Sequence, residues 1–365
     1  MAQISTVTKK QRTALNSEII KGHHIPNVLI SKILKLQNVR YRNELQHFAT
    51  EYKKARFRDI ADEYDLVKDL INTLFGTYLS PAISRIIERE MRASLAGQAL
   101  DTAVRETFIH PFQVFLVGTI VIDRYYDQFR NWYGDALNLN PASSIEASWL
   151  LAAILHDGAK PRNTMRKELE RTFGNVVVQI PNENEYVRLI GSFYRFRSAG
   201  NDANNWTAQA PNDINLEAIM NDSSSRWSHG VKGAVIMMSN VCGSPTAVTQ
   251  RDVIAGFSIV FHDKDVWVPM QTGHYFPLRM DLFPLACLLL QLDAAQEWGR
   301  NRIVDTETKL VGITIRGRIV TIEVAFESIK ALQKKDSECD SAVECVDSSH
   351  LQIALDLRIR KKLSA

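Results

Sequence analysis

The sequence predicts a mainly α-helical fold that ends in a small α+β unit. Apolar residues recur at helical spacing among charges through residues 44–75. Prolines and capping-type residues mark several helix starts farther along the chain. After residue 305 the pattern changes to the alternation typical of strands. We therefore expect a helical N-terminal region (1–98), a helical domain (99–304) and a C-terminal α+β appendage (305–365).

The composition is that of an ordinary globular protein. Of its 365 residues, 45% are apolar and 23% charged, and the formal net charge is +3. This charge does not indicate a nucleic-acid partner, and it does not exclude a phosphorylated small molecule. No apolar run reaches the roughly 20 residues that span a bilayer, and the N-terminus lacks a secretory pattern. The four cysteines form no CxxC pair, so we expect a reduced, cytoplasmic protein without a membrane partner.

Two predicted helices place histidines at their ends. Pro111 suits the first turn of a helix, and the following FQVFLVGTIVIDRYYDQF is apolar nearly all round, so His110 stands at the start of a buried helix. The run LLAAILHDGAKP belongs to a second helix, which a capping box at Ser143 and Glu146 would begin. Gly158 would end it, which puts His156 and Asp157 in its last turn.

Three more predicted helices carry candidate residues. His229 lies in the helical pattern SRWSHGVKGAVIMMSN. Thr249 and Asp252 form a second capping box, and the helix RDVIAGFSIVFH ends at His262. Pro284 begins PLACLLLQLDAAQEWGR, which carries Asp293 among leucines. The Asn-rich residues 174–222 are expected to form a polar insertion or a lid.

The appendage is expected to contain three strands and one helix. KLVGITIRGRIVTIEV predicts a hairpin around Gly317, AFESIKALQKK a helix and LQIALDLRIR a third strand. A short open sheet would allow two copies of the chain to pair, which leaves homo-oligomerisation open.

Six polar side chains at helix ends or within apolar faces form a candidate metal site: His110, His156, Asp157, His229, His262 and Asp293. A buried carboxylate is costly unless it is paired or bound to a cation. Imidazole and carboxylate together suit Fe, Mn, Co, Ni or Zn, and the residues leave the metal open. Asp157 could bridge two ions while His156 binds one of them, so we expect two divalent transition-metal ions as cofactors.

The order of these residues resembles the H…HD…D signature of the HD superfamily of metal-dependent phosphohydrolases. ILHDGAK is similar to the family's LLHDxGK, SHGVKGA to its HxxxGA element and FHDKD to its next histidine motif. PLACLLLQLDAAQEWGR resembles the family's terminal aspartate helix. The resemblance covers about residues 100–302.

The resemblance implies an HD-type helical bundle and assigns roles within it. His110, His156, Asp157 and Asp293 correspond to the core metal ligands, and His229 and His262 to the ligands that complete a second metal site. Asp157 corresponds to the bridging, catalytic carboxylate. Lys160 corresponds to a catalytic and substrate-binding residue near the substrate phosphate or the bridging water. Apart from the resemblance, Arg162 is a weaker phosphate-binding candidate, as are Arg195 and Arg197. Asp263 stands where the cyclic-dinucleotide branch has a second histidine, which argues against cyclic di-GMP as substrate.

Three functions are compatible with this pattern. The first is a phosphomonoesterase or phosphodiesterase in which a metal-activated water attacks a nucleotide-type small molecule. The second is an HD-fold diiron oxygenase that activates O₂ with the same ligand set. The third is a regulatory or binding protein with a structural metal site.

Overall fold

The computed structural model describes twelve stretches of the chain. They are residues 5–6, 25–57, 60–79, 109–137, 145–158, 180–198, 216–222, 228–271, 276–296, 308–326, 328–347 and 349–359. Within them the fold is mainly helical, with thirteen α-helices and a small set of strands toward the C-terminal end. This confirms the predicted fold class.

The described helices lie in all three predicted regions of the chain. The N-terminal region contains α1 (Asn27–Ile33), α2 (Arg42–Lys54) and α3 (Ile60–Tyr78). The central region contains α4 (His110–Arg124), α5 (Tyr126–Leu137), α6 (Ile145–Leu155), α7 (Glu183–Ser198), α8 (Leu216–Asn221), α9 (His229–Cys242), α10 (Gln250–Phe261), α11 (Lys264–Met270) and α12 (Pro284–Ala295). Helix α13 (Ile329–Glu344) belongs to the appendage.

Four central helices form the inner layer of the molecule. Every residue of α6 is buried, and α4, α10 and α12 are buried over nearly their whole length. Helices that are apolar all round have no face suited to water, so they pack inside. Helix α6 packs between α4 and α10, while α12 contacts all three and α9 covers α10. The helix ends that carry the candidate ligands therefore belong to neighbouring elements.

The helix boundaries match the local signals with two differences. The Thr249–Asp252 capping box is present, whereas Ser143 lies outside the described residues. Helix α6 ends at Leu155, so His156 and Asp157 lie in the turn after the helix instead of in its last turn. The predicted helix after His110 is divided at Tyr125, whose backbone leaves the helical region (φ −110°, ψ 31°).

Part of the segment 174–222, which is predicted to form a polar insertion or a lid, is helical. Within it, α7 packs against α9 and α10, with one face in the core, formed by Tyr186, Val187, Ile190, Phe193, Tyr194 and Phe196. Polar residues between these positions conceal the helical spacing of the apolar ones. Residues 174–179 and 199–215 lie outside the described residues.

The appendage has the predicted hairpin, helix and third strand. Strands β3 (Lys309–Arg316) and β4 (Ile319–Phe326) pair antiparallel, and Gly317 has φ +57° in their turn, a conformation that favours glycine. Helix α13 then leads to β6 (Gln352–Ile359), which pairs parallel with β4. The strand order is β1-β6-β4-β3, where β1 is the short strand Ser5–Thr6.

The appendage is joined to the helical part of the chain by several contacts. Strands β2 (Leu278–Arg279) and β5 (Val346–Asp347) pair parallel, and the Tyr125 hydroxyl donates to the Gly317 carbonyl at 2.7 Å. Apolar residues of the appendage belong to the same buried cluster as those of the central helices. The proposed division at residue 305 stays a prediction.

None of the helices α1–α13 combines the length and apolar character needed to cross a lipid bilayer. All four cysteines are free thiols, and three of them are buried.

Asp123 of α4 connects this helix by hydrogen bonds to the segment between α1 and α2. Its Oδ1 atom accepts hydrogen bonds from the backbone N–H groups of Gln37, Asn38 and Val39 at 2.5–3.0 Å. If the Asp123 carboxylate were removed, all three backbone N–H groups would lose their hydrogen-bond acceptor at once. We expect Asp123→Ala to lower the free energy of unfolding by about 2 kcal/mol in urea denaturation. The exposed Asp127→Ala should change it by less than about 0.5 kcal/mol, and equal effects of the two substitutions would contradict this role.

Candidate metal centre

Five helix ends bring the six predicted ligands into one place. His110 is the first residue of α4, and His229 is the first residue of α9. His262 caps the C-terminal end of α10, and the His156–Asp157 pair follows the end of α6. Asp293 lies in the last turn of α12. The side chains therefore converge although 183 positions separate the first from the last.

The first donor group consists of His110, His156 and Asp293. The Nε2 atom of His110 lies 2.8 Å from Asp293 Oδ1 and 3.4 Å from His156 Nε2. His156 Nε2 is 3.5 Å from the same Asp293 oxygen. The three ligand atoms thus form a small triangle with sides of 2.8–3.5 Å.

The second donor group consists of Asp157, His229 and His262. The two Nε2 atoms of His229 and His262 are 3.1 Å apart, and they lie 3.8 and 3.9 Å from Asp157 Oδ1. Asp157 also faces the first donor group, because its Oδ2 is 3.6 Å from His110 Nε2 and its Oδ1 is 3.5 Å from His156 Nε2. Asp157 therefore stands between the two groups.

The other ring nitrogen of each histidine is held by an acceptor. His156 Nδ1 contacts the Ala153 carbonyl at 2.8 Å, and His262 Nδ1 makes a short contact with the Ile259 carbonyl. His229 Nδ1 is 2.8 Å from Asp263 Oδ2, and His110 Nδ1 contacts Gln296 Oε1. A carbonyl accepts only, so these partners assign the proton to Nδ1. Each Nε2 then presents a lone pair to the centre.

The arrangement of these donor atoms could hold a metal ion. Two donors about 2.1 Å from one ion at angles of about 90–110° lie about 3.0–3.4 Å apart. The separations within the first group and the 3.1 Å between the Nε2 atoms of His229 and His262 are close to this range, whereas Asp157 lies farther from those two histidines. Nitrogen lone pairs and carboxylate oxygens that face one another repel unless a cation or protons lie between them. Two overlapping sets of ligand atoms each lie within 4.8 Å of one another, so that each set could hold a metal ion. One set is the first donor group, and the other consists of His156, Asp157 and His262.

The electrostatics of the site also favour positive charge. Burial would raise the pKa of Asp293, but its contacts with His110 and His156 hold that pKa well below the ordinary value. Burial would lower the pKa of His262, but the carboxylate of Asp157 and the charges of Asp293 and Asp263 raise it above the ordinary value. Asp293 therefore stays ionised and stabilises a positive charge beside it.

Two glycines allow the supporting elements to approach closely. A Cβ atom on Gly230 would lie 2.7 Å from the Asp263 Cβ and 2.9 Å from the Ile259 carbonyl oxygen, so α9 and α10 could not meet there. A Cβ on Gly233 would lie 3.3 Å from the His156 carbonyl oxygen. Both glycines follow His229 within one turn, and they let that histidine reach the centre.

Three residues that support the histidines were not identified from the sequence: Asp263, Gln296 and Gln113. Asp263 was treated only as a departure from the resemblance, yet its carboxylate contacts His229. Gln296 contacts His110, and its Nε2 donates to Gln113 Oε1 at 3.0 Å, which fixes the orientation of the amide. Gln296 lies three residues after Asp293, and that spacing on one helix face was the available signal.

Of the four basic residues considered as phosphate-binding candidates, the structure describes two. Lys160 and Arg162 lie outside the described residues. Arg197 is buried and donates to the backbone carbonyls of Trp132 and Leu282, and Arg195 pairs with Glu217 at 2.6 Å. Because both guanidinium groups bind partners within the protein, Arg195 and Arg197 have structural roles that account for their presence without a phosphate.

Comparison of the chain with protein-family models, with curated proteins and with solved structures finds no match. The assignment of a function therefore depends on the donor geometry and on the motifs of the sequence.

Proposed function

We propose that this protein is a metal-dependent phosphohydrolase of the HD type that cleaves a phosphate ester of a nucleotide-type small molecule. The observation that carries the proposal is the position of Asp157 between two donor groups. A bridging carboxylate with imidazoles on both sides suits a pair of divalent ions. The HD motifs of the sequence then favour phosphate esters, and this step is one of analogy.

Bound metal ions would supply Lewis acidity toward the phosphoryl oxygens and would make a water molecule a better nucleophile at neutral pH. The residues of the two donor groups would hold these ions and leave one side of the site open. The side chains of His110, His156, Asp157 and His262 are at most 2% exposed, whereas those of Asp293 and His229 are 20% and 27% exposed. Substrate and water therefore approach over Asp293 and His229, and the four buried ligands exclude water from the inner side.

Turnover with defined metals tests this function. The purified protein is freed of metal with a chelator and reloaded with Mn²⁺ or Co²⁺, and release of phosphate from nucleotides and of nitrophenol from aryl phosphate esters is measured. We expect metal-dependent hydrolysis that falls at least about 100-fold in His156→Ala, since a metal site contributes several kcal/mol to the transition state. The exposed His47→Ala should keep full activity.

Two outcomes would contradict the proposal. Hydrolysis that survives both chelation and His156→Ala would show that the site is not responsible for it. Absence of hydrolysis with every metal, together with O₂ consumption by the iron-loaded protein, would favour the oxygenase instead.

A further inference from the structure

Asp263 is a buried carboxylate beside the second donor group, and the proposed hydrolysis does not use it directly. Its side chain is 2% exposed. The Oδ2 atom lies 2.8 Å from His229 Nδ1 and accepts the Gly230 N–H at 2.9 Å, while Oδ1 accepts the Asp265 N–H at 3.1 Å. The backbone thus holds the carboxylate in a fixed position, from which it orients one imidazole.

The position of Asp263 links both histidines of the second donor group. The residue directly follows His262, at the junction of α10 and α11, and its side chain reaches the first turn of α9 to contact His229. A displacement of Asp263 would therefore change the separation of the two Nε2 atoms, which is 3.1 Å.

The two donor groups differ in the partners that orient their imidazoles. Backbone carbonyls hold His156 and His262, and a neutral amide holds His110. His229, by contrast, is held at Nδ1 by a carboxylate, that of Asp263. A carboxylate partner raises the basicity of the imidazole and fixes its tautomer. The second donor group also has only Asp157 as a carboxylate ligand, whereas the first has Asp293 and can share Asp157.

We propose that Asp263 is the positioning residue that makes the second donor group bind its ion, so that the two metal sites are not equivalent. Its negative charge compensates the smaller number of carboxylates in the second group, and its hydrogen bond aims His229 Nε2 at the ion. Asp263 contacts His229, Gly230 and Asp265, which lie outside the first donor group, so the first group should bind metal without it. This inference rests on the metal site of the proposed function but not on the reaction.

Titration of the metal-free full-length protein with Mn²⁺ by calorimetry and electron paramagnetic resonance tests the assignment. The wild-type chain should bind two ions. Asp263→Ala should bind the second ion about 10–100-fold more weakly, with the first affinity unchanged. Asp263→Asn keeps an oxygen acceptor without the charge, so its loss of affinity for the second ion should be smaller than that of Asp263→Ala. This isosteric variant also tests the assignment if the alanine variant does not fold.

Ser228→Ala is the matched control. The Ser228 side chain caps α9 by accepting the Val231 N–H at 3.1 Å, so its loss loosens the same helix end without removing the partner of His229. This variant should melt earlier yet bind both ions with wild-type affinity. If Asp263→Ala bound both ions with wild-type affinity, or lost affinity equally at both sites, the proposed role of Asp263 would be wrong while the metal centre itself would stand. A wild-type chain that binds no ion would instead overturn the metal centre.

Discussion

Replacement of Asp157 by alanine is expected to remove both metal ions and to abolish hydrolysis. Asp157 faces His110 and His156 on one side and His229 and His262 on the other, at 3.5–3.9 Å. Both donor groups lose a ligand when this carboxylate is removed, and the transition state loses the ions that stabilise it. We expect kcat/KM for the best phosphate ester to fall at least about 1,000-fold, which corresponds to about 4 kcal/mol.

Asp157→Asn should give nearly the same loss because the amide keeps the volume but not the charge of the ligand. Asp340→Ala, at an exposed position of α13, should retain wild-type turnover and metal content. Full activity or two bound ions in Asp157→Ala would mean that the carboxylate is not shared by the two sites.

Gly118→Ala should be among the most destabilising single-methyl changes in the chain. A Cβ atom on Gly118 of α4 would overlap Cζ2 of Trp149 in α6, because the two atoms would lie well inside van der Waals contact. The Trp149 ring is fully buried, and its Nε1 donates to the Phe115 carbonyl at 3.1 Å, so the ring cannot turn aside freely. We expect a loss of about 3 kcal/mol in the free energy of unfolding, measured by chemical denaturation.

Gly76→Ala provides the control for this prediction. Gly76 lies within α3, and a Cβ there would meet nothing within 4 Å. Alanine at such a helical position should stabilise the protein by about 0.5–1 kcal/mol. If Gly118→Ala were as stable as the wild type, the close packing of α4 against α6 would be wrong.

Local signals predicted much of the fold and the residues of the candidate site. Pro111 and Pro284 mark helix starts, and the Thr249–Asp252 pair forms the capping box expected from its spacing. A histidine or an aspartate that interrupts an apolar run is conspicuous because burial of such a group costs free energy. These features identified the six side chains that the structure brings together.

Tertiary contacts account for what the sequence did not predict. Asp263 and Gln296 are ordinary polar residues until the fold places them beside His229 and His110. The apolar face of α7 was hidden by its polar residues, and its burial depends on packing against α9 and α10. Arg197 could be recognised as structural only once the carbonyls that it binds were known.

Anomalous diffraction from crystals soaked in Mn²⁺ tests the central claim most directly. The six converging side chains predict two peaks about 3.5–4 Å apart. One should lie within reach of His110, His156 and Asp293, and the other within reach of His229 and His262, with Asp157 contacting both. A folded protein that shows no peak at either donor group under saturating Mn²⁺ would contradict the account.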